Sequence, residues 1–347
     1  LRQKLEEAKI NVFSQLGKVQ IVDYARTPYI SGVDQNRILL MGIVFGILSG
    51  IAFVIVIELL DNTIKTNHDI ERNNLTVLGI IPSIGDEIKP KSNNYFKIND
   101  ILSKNQTAKG GLKRRLITRE DPRSPVSEAY RSLRTSMLYT GIDKKTRSIL
   151  VSSAGPGEGK TTTVANMAIT YANLGKKTLL IDTDLRRPVV HKVMDLDKEP
   201  GITNYLAGNI ENFNELVQPT DINNLFAVTS GIIPPNPSEL LGSQRMADLI
   251  NDLEKEWDMI LFDSPPLVAV TDATMVSKAI DCIVIVVKVG QTDKKAFEHT
   301  IQSLRNVSAP IQGVVLNAVT HKNSYGSYYY YYQYYNYYGS DKGTHSS

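Results

Sequence analysis

The stretch Ser148-Ile-Leu-Val-Ser-Ser-Ala-Gly-Pro-Gly-Glu-Gly-Lys-Thr-Thr-Thr163 leaves this chain little choice of fold. An apolar, β-branched run enters a loop with glycines at 155, 157 and 159, followed by Lys160, Thr161 and the helical pattern Val164 to Leu174. That order predicts a buried strand, a phosphate-binding loop and a helix. The three glycines free the backbone to take positive φ and to bring N–H groups around an anion, while the helix N-terminus adds partial positive charge. Gly155, Pro156, Gly157, Glu158, Gly159, Lys160, Thr161 and Thr162 are therefore candidate nucleotide contacts. In such a loop the Lys160 ammonium reaches the β- and γ-phosphates of ATP, and the Thr161 hydroxyl ligates Mg²⁺. Ala154 stands where the strict pattern has glycine.

Beyond this loop, strand patterns at Thr178–Ile181, Leu225–Val228, Met259–Phe262, Cys282–Val287 and Gly313–Leu316 alternate with helical patterns at 238–256, 271–280 and 294–307. The alternation predicts an α/β fold with a predominantly parallel sheet covered by helices on both faces, the P-loop NTPase arrangement. In such a sheet ligands bind where strands end. Leu179-Leu-Ile-Asp-Thr-Asp184 puts Asp182 and Asp184 at one strand end, and Ile260-Leu-Phe-Asp263 puts Asp263 at another, in the Walker B position that holds Mg²⁺. Residues two apart on an extended segment face the same side, so Asp182 and Asp184 are both candidates for the γ-phosphate region, one for metal and one for a proton.

Ile38 to Ile57 is twenty residues without a charge, long enough as a helix to span roughly 30 Å of hydrocarbon. A membrane helix is expected over 38–60, and Gly42, Gly46 and Gly50 give it one smooth face. The flanking charges do not orient it. ATP and Mg²⁺ are cytoplasmic, so residues 1–37 are expected outside and the rest inside. Leu1, Leu5, Ala8 and Val12 lie at helical spacing among charges, as in the last turns of an amphipathic helix, and Gln20–Ala25 reads as a short strand. Thr66-Asn-His-Asp69 reads as a capping box and Thr76–Ile81 as a strand. Residues 85–124 turn polar, with the cluster Lys113-Arg-Arg115, either a solvated linker or a rest on anionic membrane lipid. A helix follows from Pro125, with Ser127 as its N-cap and Glu128, Arg131 and Arg134 along one side.

The chain ends in Tyr325, Tyr328, Tyr329, Tyr330, Tyr331, Tyr332, Tyr334, Tyr335, Tyr337 and Tyr338, ten of its seventeen tyrosines, with no aliphatic residue to build a core. It is either a source of phosphoryl acceptors or an adhesive aromatic tail. A formal net charge of +3 gives no case for nucleic acid. The single cysteine, Cys282, sits in an apolar run and excludes a disulfide framework within the chain.

Together these residues resemble the bacterial tyrosine kinases of capsular and exopolysaccharide synthesis, joined to the end of their polysaccharide co-polymerase membrane module. The resemblance rests on Ala154–Thr161, Leu179–Pro188, Ile260–Pro266, Glu128-x-x-Arg131-x-x-Arg134 and the tyrosine cluster, with Asp23–Pro28 and Leu78-Gly-Ile-Ile-Pro82 on the membrane side. It implies Asp182 as general base toward tyrosine, Lys160 and Thr161 on nucleotide and Mg²⁺, and Asp184 and Asp263 on the metal side. Asn317 is implied at the adenine. It further implies a homo-oligomeric ring docked through Glu128, Arg131 and Arg134, with each tail offered to its neighbour. The polysaccharide polymerase and export machinery and a protein tyrosine phosphatase are the implied partners. The domains expected are an extracytoplasmic end (1–37), the membrane helix (38–60), a juxtamembrane activator (61–84), a linker (85–124), the kinase domain (125–322) and the autophosphorylated tail (323–347). A ParA/MinD-type ATPase shares this fold, but its extra lysine would stand at Gly155. A non-catalytic chain-length scaffold is the other alternative.

Overall fold

Uncharged side chains over five turns make the first long helix, and the alternation of β-branched runs makes the sheet. The computed structural model describes residues 1–15, 35–83, 116–140, 146–268, 272–277 and 279–320. The expected strand at 20–25, the basic cluster at 113–115 and the ten tail tyrosines lie outside the described residues. The chain divides into Leu1–Asp61 and Asn62–Ser347. The first unit contains α1 (Arg2–Gln15) and α2 (Gln35–Leu60). Among the described residues α2 is the one helix long and apolar enough to cross a membrane, and its leucines, isoleucines and phenylalanines are exposed all round.

The second unit runs α3 (Asn67–Glu71), β1 (Val77–Pro82), α4 (Ile117–Glu120), α5 (Pro125–Thr140), β2 (Ser148–Ser153), α6 (Lys160–Ala172) and β3 (Thr178–Asp182). It continues with α7 (Val190–Met194), α8 (Ile202–Leu206), β4 (Gln218–Pro219), β5 (Leu225–Val228), α9 (Pro237–Leu241) and α10 (Gln244–Glu256). The last elements are β6 (Met259–Asp263), α11 (Asp272–Ser277), β7 (Cys282–Lys288), α12 (Lys294–Asn306) and β8 (Ile311–Val319). Eight strands form one sheet in the order β1-β8-β7-β2-β6-β3-β5-β4. All neighbouring pairs are parallel except β4 with β5.

The phosphate-loop strand β2 lies between β6 and β7, with Ile149, Leu150 and Val151 fully buried. Burial of each contributes about 1.5–3 kcal/mol, which fixes the strand before its glycine-rich loop begins. Its side chains alternate between two cores. Ile149 and Val151 pack with Tyr130 and Leu133 of α5 and Met167 of α6, while Leu150 packs on the other side with α10 and α12.

Two expectations are corrected. The helical pattern 238–256 is two helices, because Gly242 ends α9 and Ser243 caps α10, its Oγ accepting the Met246 N–H at 3.3 Å. Ser124, not Ser127, caps α5, accepting the Ser127 N–H at 3.1 Å. Ser127 lies inside the helix and donates to the Asp121 carbonyl at 2.6 Å. Leu116 is buried and α4 docks on α6 through Thr118, whose hydroxyl donates to Asn166 Oδ1 at 2.7 Å. Residues from Asn62 belong to the second compact unit, and β1 is an edge strand of its sheet, paired Val77 to Val314 and Ile80 to Leu316. The capping box at Thr66 does form, with Asp69 accepting the Thr66 N–H at 3.1 Å.

Gly313 lets β1 approach β8, because a Cβ there would lie 2.6 Å from the Thr76 carbonyl oxygen and 2.7 Å from Leu78 Cγ. Gly313→Val is therefore expected to cost about 1–3 kcal/mol by overpacking. Amide hydrogen exchange should quicken over Val77–Pro82 and stay slow over Ile149–Val151.

Candidate active site

The site is assembled at the carboxyl ends of β2, β3 and β6, where the loop Ala154–Gly159 turns into α6. Gly157 and Gly159 take positive φ, 77° and 97°. Gly155 does not, contrary to expectation. There the constraint is space, since an added Cβ would lie 3.0 Å from Glu158 Oε1. At Gly159 a Cβ would fall 2.0 Å from Asn317 Nδ2.

Lys160 Nζ lies 2.8 Å from Asp184 Oδ2 and 3.8 Å from Asp263 Oδ1. Thr161 Oγ1 donates to Asp263 Oδ2 at 2.6 Å. Asp182, fully buried at the end of β3, accepts the Asp184 N–H at 3.1 Å and the Val190 N–H at 3.1 Å. The register explains the meeting, because β3 and β6 pair Asp182 with Asp263. Thr183 locks it, its N–H and hydroxyl both reaching the Asp263 carbonyl, at 2.8 and 2.6 Å. Thr183 was not legible as a site residue, its one signal being its place between two aspartates.

Burial, together with the Asp263 charge, pushes the Asp182 carboxyl well above the usual carboxylate range, against the Val190 N–H and Lys160. Burial pushes Asp263 up to about 6, although Lys160 and the Thr161 hydroxyl oppose it. Burial acts to lower Lys160, but Asp263 and Asp184 outweigh it and raise the pKa. An unmatched carboxylate charge under the loop thus favours a proton or a cation. Among the described residues no group of three or more His, Cys, Asp or Glu holds a metal unaided. The fit to Mg²⁺ is of another kind. Asp263 Oδ1 is buried without a hydrogen bond, and a hydroxyl with one or two carboxylates is the protein share of a Mg²⁺ site completed by phosphate oxygens.

Two further residues brace the loop. Asn317 Nδ2 donates to the Glu158 carbonyl at 2.8 Å, so the structure sets this amide on the loop itself. The Glu158 side chain is folded inward, where burial pushes its carboxyl up to about 7 against the Thr292 hydroxyl and the Gly155 and Ala154 N–H groups. Its burial is invisible in sequence, since a glutamate in a glycine loop reads as solvated. Pro156 and Gly157 are exposed, and Thr162 supplies a carbonyl to Asn166 Nδ2 at 2.8 Å. Glu128, Arg131 and Arg134 stand apart on α5. Arg131 pairs with Glu128 and donates to the Pro122 carbonyl, and Arg134 Nη1 donates to the Thr170 carbonyl of α6 at 2.6 Å.

The sheet, loop and strand-end carboxylates define a P-loop NTPase fold with a phosphoryl-transfer site. A model of the AAA domain matches residues 146–313. The tyrosine-protein kinase YwqD of Bacillus subtilis is 38% identical over 216 residues, 62% of this chain and 90% of that protein. The tyrosine-protein kinase wzc of Salmonella typhimurium is 30% identical over 320 residues, 92% of this chain, which spans 43% of that longer protein. The solved kinase domain of the Escherichia coli tyrosine kinase ETK matches with a TM-score of 0.65 and 26% identity, covering 76% of this chain and 98% of that domain. The chain belongs to the bacterial tyrosine-protein kinase family.

The raised Asp263 pKa has a consequence for stability. A carboxyl shifted from 3.8 to about 6 on folding contributes stability that is complete below 3.8 and lost as pH rises through 6. Without Mg²⁺ or nucleotide, this costs on the order of 3 kcal/mol at pH 8. Asp263→Asn is expected to raise the Tm relative to the parent chain at pH 8 and to lose that advantage by pH 4, as thermal unfolding in EDTA will show.

Proposed function

We propose that this chain transfers the γ-phosphoryl group of Mg·ATP to tyrosine hydroxyls of its own Tyr325–Tyr338 segment. In this reading α2 anchors it in the bacterial plasma membrane with residues 1–37 outside and the kinase unit in the cytoplasm. The observation that carries the reading is the meeting of Lys160, Thr161, Asp184 and Asp263 beneath the phosphate loop, with the high-pKa carboxyl of Asp182 beside them. Bound Mg²⁺ would neutralise charge on the β- and γ-phosphates, held by Thr161, Asp263 and Asp184. Lys160 would exchange its Asp184 partner for phosphate oxygen. The loop N–H groups and the start of α6 would fix the donor in place.

Asp182 fits the role of general base because its raised pKa makes it a stronger proton acceptor than an ordinary carboxylate. It takes the phenolic proton as the tyrosine oxygen bonds to the γ-phosphorus and the bond to the β-phosphate oxygen breaks, leaving ADP. Its two bonds to main-chain N–H groups hold it still during that exchange. The Asn317 amide is committed to the loop, so we assign it the support of the nucleotide site, with any adenine contact secondary.

The wider role proposed is control of capsular or exopolysaccharide polymerisation and export, reversed by a protein tyrosine phosphatase. A ring of subunits, with tails exchanged between neighbours, is proposed to dock through α5. Arg134 is occupied within its own subunit, so the exposed Glu128–Arg131 pair carries most of that contact. The basic segment at 113–115 is proposed to rest on anionic lipid.

In purified full-length chain with Mg·ATP, Lys160→Met and Asp182→Asn are each expected to lower the phosphotyrosine signal at least 100-fold, Asp182→Asn while still binding nucleotide. Full transfer by Asp182→Asn would remove it as the base. Replacing Glu128, Arg131 and Arg134 by alanine is expected to shift the sedimenting species toward monomer, and an unchanged mass would remove the ring contact from α5.

A further inference from the structure

In the second unit, seven large apolar side chains among the described residues remain exposed, and four of them lie on the segments that follow the carboxyl ends of β5 and β6. Ile232 and Ile233, 53% and 52% exposed, lie four and five residues beyond Val228, the partner of Ile181 on the neighbouring strand. Asp182 is the next residue after Ile181. Val268 follows β6 by five residues, and its N–H donates to the Ala154 carbonyl at 3.3 Å, beside the phosphate loop. Met275 lies on α11, which packs on α9, the helix that follows the isoleucine loop.

The isoleucine pair is held on a rigid base. Thr229, Ser230 and Gly231 are buried, and the Gly231 N–H donates to the Lys198 carbonyl at 3.2 Å. The Thr229 and Ser230 carbonyls accept the Ile202 and Thr203 N–H groups, at 2.8 and 3.1 Å. Adding a Cβ to Gly201 would bring it 2.1 Å from the Gly231 nitrogen, so the two chains are in direct backbone contact. Two adjacent isoleucines are thus presented to solvent on a hydrogen-bonded turn beyond β5, the strand that neighbours β3, and an exposed apolar pair marks an interaction surface.

We propose that this ledge is the docking surface for the Tyr325–Tyr338 segment of a second copy, gripping the rings of tyrosines that flank the acceptor. The inference rests on the transfer reading above. The occupant matches in charge and shape, because this segment has ten aromatic rings and no charged residue, and tyrosine offers an apolar body with a polar tip. Chain reach selects the second copy for the first tyrosine. β8 lies five strands from β5, about 24 Å at ~4.8 Å per strand. The six residues from Val319 to Tyr325 extend about 20 Å at most. Phosphorylation would add roughly −1.5 to −2 charges per ring, so a modified tyrosine no longer suits an apolar ledge, and the product leaves.

The test uses full chains in detergent. A Lys160→Met chain of altered mass serves as acceptor, and donors carry Ile232→Ser with Ile233→Ser or Ile232→Leu with Ile233→Leu. Phosphotyrosine on the acceptor is followed against acceptor concentration. The serine donor is expected to need at least tenfold more acceptor for half-saturation, with its maximal rate and its half-saturating ATP within about twofold of the parent, and the leucine donor is expected to match the parent. An unchanged acceptor requirement, or a leucine donor as impaired as the serine one, would overturn the ledge. Weakened retention of the serine donor on phosphatidylglycerol vesicles with an unchanged acceptor requirement would reassign it to lipid. No acceptor labelling by the unaltered donor would overturn the transfer reading and the ledge with it.

Discussion

Lys160 sits 2.8 Å from Asp184 and 3.8 Å from Asp263 in a site where neither sign of charge is stable alone. Asp182 and Asp263 are fully buried, and the lysine offsets only part of the charge around it. Buried ions are tolerated when paired and hydrogen-bonded. Here the pairing depends on β3 and β6 being neighbours in register and on β2, the other neighbour of β6, delivering its loop beside them. The sheet order therefore does more than bury apolar surface. It concentrates negative charge at one point and sets Lys160 against it, a balance that a divalent cation with a polyphosphate would complete.

That loop is braced from two sides by the segment that follows α2. Ile64 exchanges backbone hydrogen bonds with Gly290 and Thr292, at 2.9 Å each, and Asp69 pairs with Lys294 at 2.9 Å. The Thr292 hydroxyl in turn supports the Glu158 carboxyl inside the loop. On the other side β1 is zipped to β8, whose Asn317 holds the Glu158 carbonyl. A segment reading as a membrane-proximal connector is thus built into the catalytic unit, and its contacts end on the residue that precedes Gly159. This gives a physical route for the activating role that the resemblance implies for it.

Much of this was written locally. Strand identity, the helix after Lys160 and the strand-end placing of Asp182, Asp184 and Asp263 follow from periodicity and glycine spacing, which depend on neighbours in sequence. What sequence did not give depends on neighbours in space. The addition of β1 to the sheet needs Gly313 to make room for Thr76 and Leu78, and no pattern within 77–82 announces it. Ser124 outranks Ser127 as a cap because α4 draws the Ser127 hydroxyl away to the Asp121 and Ile117 carbonyls. Gly155 needs no positive φ, and what crowds a side chain there is Glu158, whose inward fold no local pattern announces. The Arg134 partner, the Thr170 carbonyl of α6, is likewise a neighbour in space and not in sequence.

The central claim is that the charge cluster directs phosphate to tyrosine and not to water. It is tested most directly by following the γ-phosphoryl group of labelled ATP in the purified full chain, with mass spectrometry of Tyr325–Tyr338 and inorganic phosphate measured in the same reaction. The account predicts that during the first turnovers most of the label is found on these tyrosines and little as free phosphate. Label released as phosphate, with the tyrosines unmodified, would contradict it.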